Sequence, residues 1–274
     1  MNKNTDGFWA VERKVGKTSV GDVLLPIFYP DFSYTHFLYW LDYDKAAEKL
    51  ADTDFTACRF IHGKAAVMLT FFEYRQSDIG PYNEVSLAIV SFPAKYKQPA
   101  LLMPQLFMDA RNWTIGAYVI NLPVTTETAM AAGKEIYNYP KFVTDIDYHL
   151  AGKRFSGTVM DPATNTPIFS LEGRIGFLGL GVKLSHAGSF ISYTMNQGKP
   201  NRILTEVDAR YRMNLGFSGQ LQVSPESRHR MARNLINLGL GDKKPFAVIS
   251  AERGRMKLNG GEEIAGVNQV NPML

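Results

Sequence analysis

The chain has 274 residues, of which 45% are hydrophobic and 12% aromatic, and its formal net charge is +4. That length holds one large domain or two small ones, and the apolar share suits a globular core. The charge is modest and spread out apart from Arg228, Arg230 and Arg233, so no nucleic-acid footprint is read from it.

Residues 1–22 are polar and contain glycine, and a loose arm is expected there. The opening MNKNTDGFWAVERK has no apolar signal-peptide core, and no run approaches the ~18 residues of a membrane span. A soluble, cytoplasmic protein with no membrane partner is therefore expected. Strand signals then dominate: SYTHFLYWL (33–41), FTACRFI (55–61), KAAVMLTFFEYR (64–75), EVSLAIVSF (84–92) and WTIGAYVINL (113–122). Further strands are expected at 153–160, 167–177, within 202–222, and at 245–258.

Helix signals are few. Residues 43–51 carry alanines and charges, with Asp42 available as a cap. Residues 123–132 begin with proline and threonines and meet Gly133, a start and stop pattern. SPESRHRMARNLINLG offers Ser224 as N-cap, Pro225 at the first helical position and Gly239 beyond the end. Met231, Leu235 and Leu238 form its apolar stripe, so the arginines face solvent. From Asn259 the tail is glycine-rich and expected to fray. Many strands with few helices, in no regular alternation, predict a mostly antiparallel α+β fold, a barrel or sandwich, in one domain over 23–258.

Several motifs fail. The lone Cys58 excludes an intrachain disulfide and sits in an apolar run, so it reads as a buried, inert thiol. GFLGLGV (176–182) lacks dinucleotide spacing, and VGKTS (15–19) lacks the glycine that a phosphate loop needs at Val11. The five histidines make no HxxxH or HxH pair, no GxSxG elbow occurs, and no metal site is predicted.

Two segments carry chemistry. In GKEIYNYPKFV (133–143), Pro140 biases Tyr139 toward an extended conformation, so Lys141 lies near a strand start. Alternation puts Lys141 on one face with Tyr139 and Val143, and Phe142 on the other. If the first face lines a cavity, desolvation disfavours the ammonium form, and a partly neutral amine attacks carbonyls to form a Schiff base. If it lines an edge, Lys141 is a solvated lysine that blocks aggregation. In GPYNEVSLAIV (80–90), Glu84 opens an apolar strand after a Gly-Pro turn, as a solvated strand start or as a pocket acid.

Together these segments resemble the acetoacetate decarboxylase family. The family pattern runs from a helix through Gly-Arg-Glu-Leu/Ile and a short aromatic stretch to Pro-Lys-Lys. Here it reads Gly133-Lys134-Glu135-Ile136-Tyr137-Asn138-Tyr139-Pro140-Lys141-Phe142. The family's Schiff-base lysine falls on Lys141. Its Gly-x-Tyr-x-Glu segment falls on Gly80-Pro81-Tyr82-Asn83-Glu84. Milder similarity runs from about residue 24 to 258.

The resemblance implies a closed, cone-like antiparallel β-barrel with flanking helices, a homo-oligomer, and a reaction without metal or organic cofactor. Lys141 condenses with a β-keto acid such as acetoacetate, which loses carbon dioxide to leave acetone. Glu84 positions the substrate or moves protons, and Tyr82, Tyr137 and Tyr139 are candidate substrate-binding residues.

The chain also departs from the family. Phe142 stands where a second lysine is expected, so activation rests on desolvation. A family arginine falls on Ser33 or Tyr34, and a second glutamate near Leu69 or Thr70. A pocket less charged than the family's accepts a larger or more apolar keto acid, or an aldehyde. Two other functions stay open: imine-dependent aldol or dehydration chemistry, and a non-enzymatic barrel that binds a small ligand.

Overall fold

A computed structural model of the chain describes residues 7–98, 109–176, 181–185 and 189–264. Its elements begin with a hairpin, β1 (Lys14–Thr18) and β2 (Gly21–Leu25), then β3 (Ile27–Asp42), α1 (Tyr43–Leu50) and β4 (Phe55–Ala57). There follow β5 (Lys64–Gln76), β6 (Tyr82–Pro93), β7 (Gly116–Val124), α2 (Glu127–Ala131) and β8 (Lys141–Val143). Next come β9 (Ile146–Ala151), β10 (Arg154–Met160), β11 (Pro167–Arg174), β12 (Gly181–Ser185) and β13 (Phe190–Asn196). The last are β14 (Lys199–Leu215), β15 (Leu221–Val223), α3 (Arg230–Asn237), β16 (Ala247–Leu258) and β17 (Glu262–Glu263).

The pairings of the largest sheet return on themselves. β3 pairs β5, β5 pairs β6, β6 pairs β7, β7 pairs β13, β13 pairs β14, β14 pairs β16, and β16 pairs β3 again. Pairing is antiparallel throughout this ring except at β7, which runs parallel to β13 and to the short β8. A separate four-stranded sheet has the order β15-β11-β10-β9.

Two cores follow from strand alternation. On β5, Val67, Leu69 and Phe71 join a core shared with Phe155, Phe169, Leu235 and Leu238 of the second sheet and α3. Phe72 and Tyr74 turn the other way, into a core with Tyr29, Tyr82, Tyr137 and Tyr139 inside the ring. Strands covered on both faces read as nearly unbroken apolar runs, as KAAVMLTFFEYR does.

Several local expectations are revised. Lys14–Asp22, within the stretch 1–22 read as a loose arm, belongs to a two-stranded hairpin that runs on to Leu25. The third helix begins at Arg230, not after Ser224. His229 Nδ1 accepts the Met231 N–H at 3.1 Å and takes the capping role, while Pro225 and Glu226 form a turn outside the helix. Its end is as read: Gly239 has φ +68°, and its N–H reaches the Ile236 carbonyl at 2.8 Å. The middle helix starts later than Pro123, which stays in β7, and is capped by Thr126. It does not stop at Gly133 but widens into a π-helical turn, Ala132–Ile136. Asp42 precedes α1 but makes no capping bond, because its carboxylate pairs with Lys64. The glycine-rich tail pairs through β17 with β14 before the described residues end. Among the described residues no helix is long and apolar enough to cross a membrane.

Candidate active site

Three neighbouring strands bring the two chemical segments together. Glu84 on β6 lies opposite Val124 of β7, and Lys141 on β8 lies opposite Leu122 of the same β7. Residues two apart on β7 share a face, so both charged side chains enter the ring interior. There Lys141 Nζ donates to Glu84 Oε2 at 2.6 Å, and the two side chains are only 6% and 9% exposed. A bond this short between buried opposite charges is a charge-assisted hydrogen bond, the form in which an ion pair tolerates desolvation.

The turn before β8 sets the lysine's position. Tyr139 N–H reaches the Gly133 carbonyl at 3.0 Å, and Asn138 adopts φ +54° to make the reversal. The backbone of the π-helical turn then lies directly on the lysine stem. A Cβ at Gly133 would overlap Lys141 Cδ and Cε. Single π-helical turns recur at functional sites because they re-aim the chain at one point. Phe142 points the other way as expected, with its ring 4.6 Å from that of His229.

Both groups sit in a cavity of about 60 Å³, a narrow slot. On one side of Glu84, one pleat step along β6, stand Tyr82 and its cross-strand partner Tyr74. Tyr74 Oη donates to Glu84 Oε1 at 3.3 Å, and Tyr82 Oη is 3.1 Å from Tyr29 Oη. Lys141 Nζ stands 5.7 Å from the centre of the Tyr82 ring. Burial, with the Glu84 charge next, pushes the Tyr74 and Tyr29 hydroxyls above their ordinary range, so they remain O–H donors. Tyr137 is fully buried and lines the slot, and among the described residues its hydroxyl has no partner. Tyr139 also lines it and is bound to Ser192 Oγ at 2.6 Å.

The expected charged groups fall in different places. Ser33 faces away from the slot, within 2.9 Å of the Glu252 carbonyl and beside Arg75. Tyr34 turns into the inner core. Leu69 belongs to the outer core, whereas Thr70 lines the slot. Among the described residues, Lys141 and Glu84 are thus the charged groups lining it, one of each sign.

Sequence reasoning missed Tyr29, Tyr74 and Gly133. Tyr74 was visible as the alternation Met68, Thr70, Phe72, Tyr74, but nothing local marked which face was inner. Cys58 is buried, and burial pushes its thiol up to about 12, as befits an inert group. Among the described residues no cluster of three His, Cys, Asp or Glu is arranged to hold a metal.

A ring of strands with one lysine and one carboxylate joined inside it defines the class: a mostly antiparallel α+β fold that holds a buried ion pair in an inner slot. Residues 17–189 match the acetoacetate decarboxylase (ADC) family, and the chain belongs to that family. Among solved structures, one of an acetoacetate decarboxylase is 15% identical with a TM-score of 0.57, covering 89% of this chain and 91% of that one. The acetoacetate decarboxylase of Legionella pneumophila is 14% identical with a TM-score of 0.57, covering 96% and 94%. The enduracididine biosynthesis enzyme MppR, with HEPES buffer bound, is 12% identical with a TM-score of 0.56, covering 87% of each. At these identities the likeness is one of fold. No curated protein matches the chain in sequence.

Proposed function

We propose that this protein is a Schiff-base-forming lyase that decarboxylates a β-keto acid, acetoacetate or a relative of it, with Lys141 as nucleophile. The observation that carries the reading is the Lys141–Glu84 pair, 2.6 Å apart inside the slot. Moving one proton from ammonium to carboxylate leaves a neutral amine beside a carboxylic acid, the two forms that carbonyl attack needs. The amine attacks the ketone carbon, a C–N bond forms, and the carbonyl oxygen takes the proton from Glu84. Loss of water gives an iminium. The bond to the carboxylate then breaks, its electron pair moves toward the iminium nitrogen, and carbon dioxide leaves an enamine. Protonation at carbon and addition of water release the ketone and restore the amine.

Tyr82, Tyr137 and Tyr139 are proposed to contact the substrate. The spare hydroxyl of Tyr137 supports this, since an unpaired buried donor is costly unless a ligand completes it. The return of the strand pairing on itself supports the closed, cone-like barrel that shields the intermediate from water.

A second reading keeps the imine and changes the reaction. The family match does not distinguish the two, and MppR has a structure with the condensation product of pyruvate and imidazole 4-carboxaldehyde. By analogy, the Lys141 enamine would attack an aldehyde instead of a proton.

Borohydride reduction in the presence of acetoacetate, read by intact mass, tests the imine. We expect a mass gain that is lost in Lys141→Ala. Carbon dioxide release then separates decarboxylation from aldol chemistry. No gain with any carbonyl compound would return the protein to simple ligand binding.

A further inference from the structure

The two flanks of the Lys141–Glu84 pair differ in what their hydroxyls can still bind. On the tyrosine flank the groups are largely committed: Tyr74 to Glu84, and Tyr29 and Tyr82 to each other. On the other flank, one pleat step along β6 and so ~7 Å from Glu84 at the backbone, Ser86 stands directly opposite Thr70 of β5. Ser86, Thr70 and Thr205 are all buried and all line the slot. Thr205 comes from β14, opposite Leu258 of β16 and across the ring from β5 and β6, so three different strands contribute a hydroxyl to the lining of the slot.

Thr70 is oriented by its cross-strand partner on β3. His36 Nδ1 lies 2.7 Å from Thr70 Oγ1, and the imidazole is packed among Tyr34, Phe72 and Phe190. Burial pushes His36 down to about 3, so the ring stays neutral at physiological pH and adds no charge to the wall. Among the described residues, the Ser86 and Thr205 hydroxyls have no hydrogen-bond partner. Hydroxyls both donate and accept, so such a wall suits a hydroxyl or a carbonyl oxygen. Beside these hydroxyls a carboxylate would find no cation of its own, because among the described residues Lys141 is the one cation in the lining and it is held by Glu84.

We propose that Thr70, Ser86 and Thr205 form a subsite for an uncharged oxygen function of the substrate, a few carbons from the carbon that Lys141 attacks. The inference rests on the imine reading. It narrows the substrate class to carbonyl compounds whose tail ends in a hydroxyl or carbonyl instead of a second acid.

The test is borohydride trapping with three five-carbon methyl ketones: one with a terminal hydroxyl, its deoxy analogue, and one with a terminal carboxylate. At equal, subsaturating concentration we expect the hydroxylated ketone to give about five- to tenfold more Lys141 adduct than either of the others. In the double variant Thr70→Val/Ser86→Ala that preference should fall to about one, and its persistence would overturn the assignment to these residues. Equal trapping of all three by the native protein would overturn the subsite and leave the imine standing. Preference for the carboxylate would overturn the uncharged class. Absence of any adduct would overturn the imine reading itself. The native series decides the matter even if the double variant does not fold.

Discussion

Lys141 owes its position to two neighbours of opposite kinds, a carboxylate that balances its charge and a glycine that leaves room for its stem. Each gives a prediction. Removing one member of a buried pair strands the other and costs about 3–5 kcal/mol. The double variant Lys141→Met/Glu84→Gln should therefore melt at a higher temperature than Lys141→Met alone, measured by thermal denaturation. If the single variant were the more stable, the pair would not be desolvated. Gly133→Ala inserts a methyl group where Lys141 Cδ and Cε lie, and overpacking of this kind costs about 1–3 kcal/mol. We expect a folded protein, by circular dichroism, whose rate of imine trapping falls at least about tenfold because the amine is displaced from Glu84. Tyr137→Phe removes a buried hydroxyl that has no partner, so the melting temperature should hold or rise while substrate trapping weakens. Loss of stability there would mean that the hydroxyl is bonded within the fold.

At the scale of elements, the hairpin β1–β2 stands apart as a sheet of two strands. A two-stranded sheet is marginal by itself. This one is tied down by Ser19, whose N–H and hydroxyl both donate to the Glu135 carboxylate, at 2.8 and 2.6 Å. Glu135 lies in the π-helical turn that carries Gly133, so the hairpin is fastened to the segment that seats the lysine. These bonds hold the Glu135 carboxyl below its ordinary value of 4.5. Its contribution is therefore present above that value and is lost as pH falls through the lowered one. The protection factors of the hairpin amides, taken relative to intrinsic exchange at the same pH, should fall as the pH is lowered below 4.5, and Glu135→Ala should bring the same loss of protection at neutral pH. Equal protection in both proteins would show that apolar contacts, such as Ile136 against Gly16, hold the hairpin without the carboxylate.

The same elements show what sequence can carry. Lys141 and Glu84 were legible because each departs from an apolar strand pattern, and the order of their two segments named a family. Tyr29 and Tyr74 were not, because their place beside Glu84 comes from pairing among β16, β3, β5 and β6, and no short window holds that register. The start of α3 was misplaced for a local reason. Ser224-Pro225 is a good start signal, yet the Ser224 N–H is drawn into a bond with the Ile168 carbonyl and the cap passes to His229. Whether a strand faces the slot or the outer core is set by the second sheet, whose strands begin only at Ile146.

For the molecule as a whole, the buried Cys58 offers a direct probe of opening. With its thiol pushed up to about 12 and no exposed surface, alkylation of the native protein at neutral pH should be far slower than in denaturant, at a rate set by unfolding. Rapid labelling of the native protein would contradict that burial. The ring that encloses the slot has a further consequence, for how the protein is made. β3 forms near the start of the chain and β16 near its end, yet they are neighbours, and Met256 pairs with Tyr29. At ~5–20 residues per second, roughly 10–45 s of translation separates those two residues. Until β16 emerges from the ribosome, the inner face of β3, β5 and β6 lacks its full cover, and the amine of Lys141 stands in an unfinished vessel. A nascent chain stopped short of β16 should therefore need a chaperone to stay soluble, and imine trapping at Lys141 should begin only after β16 is in place.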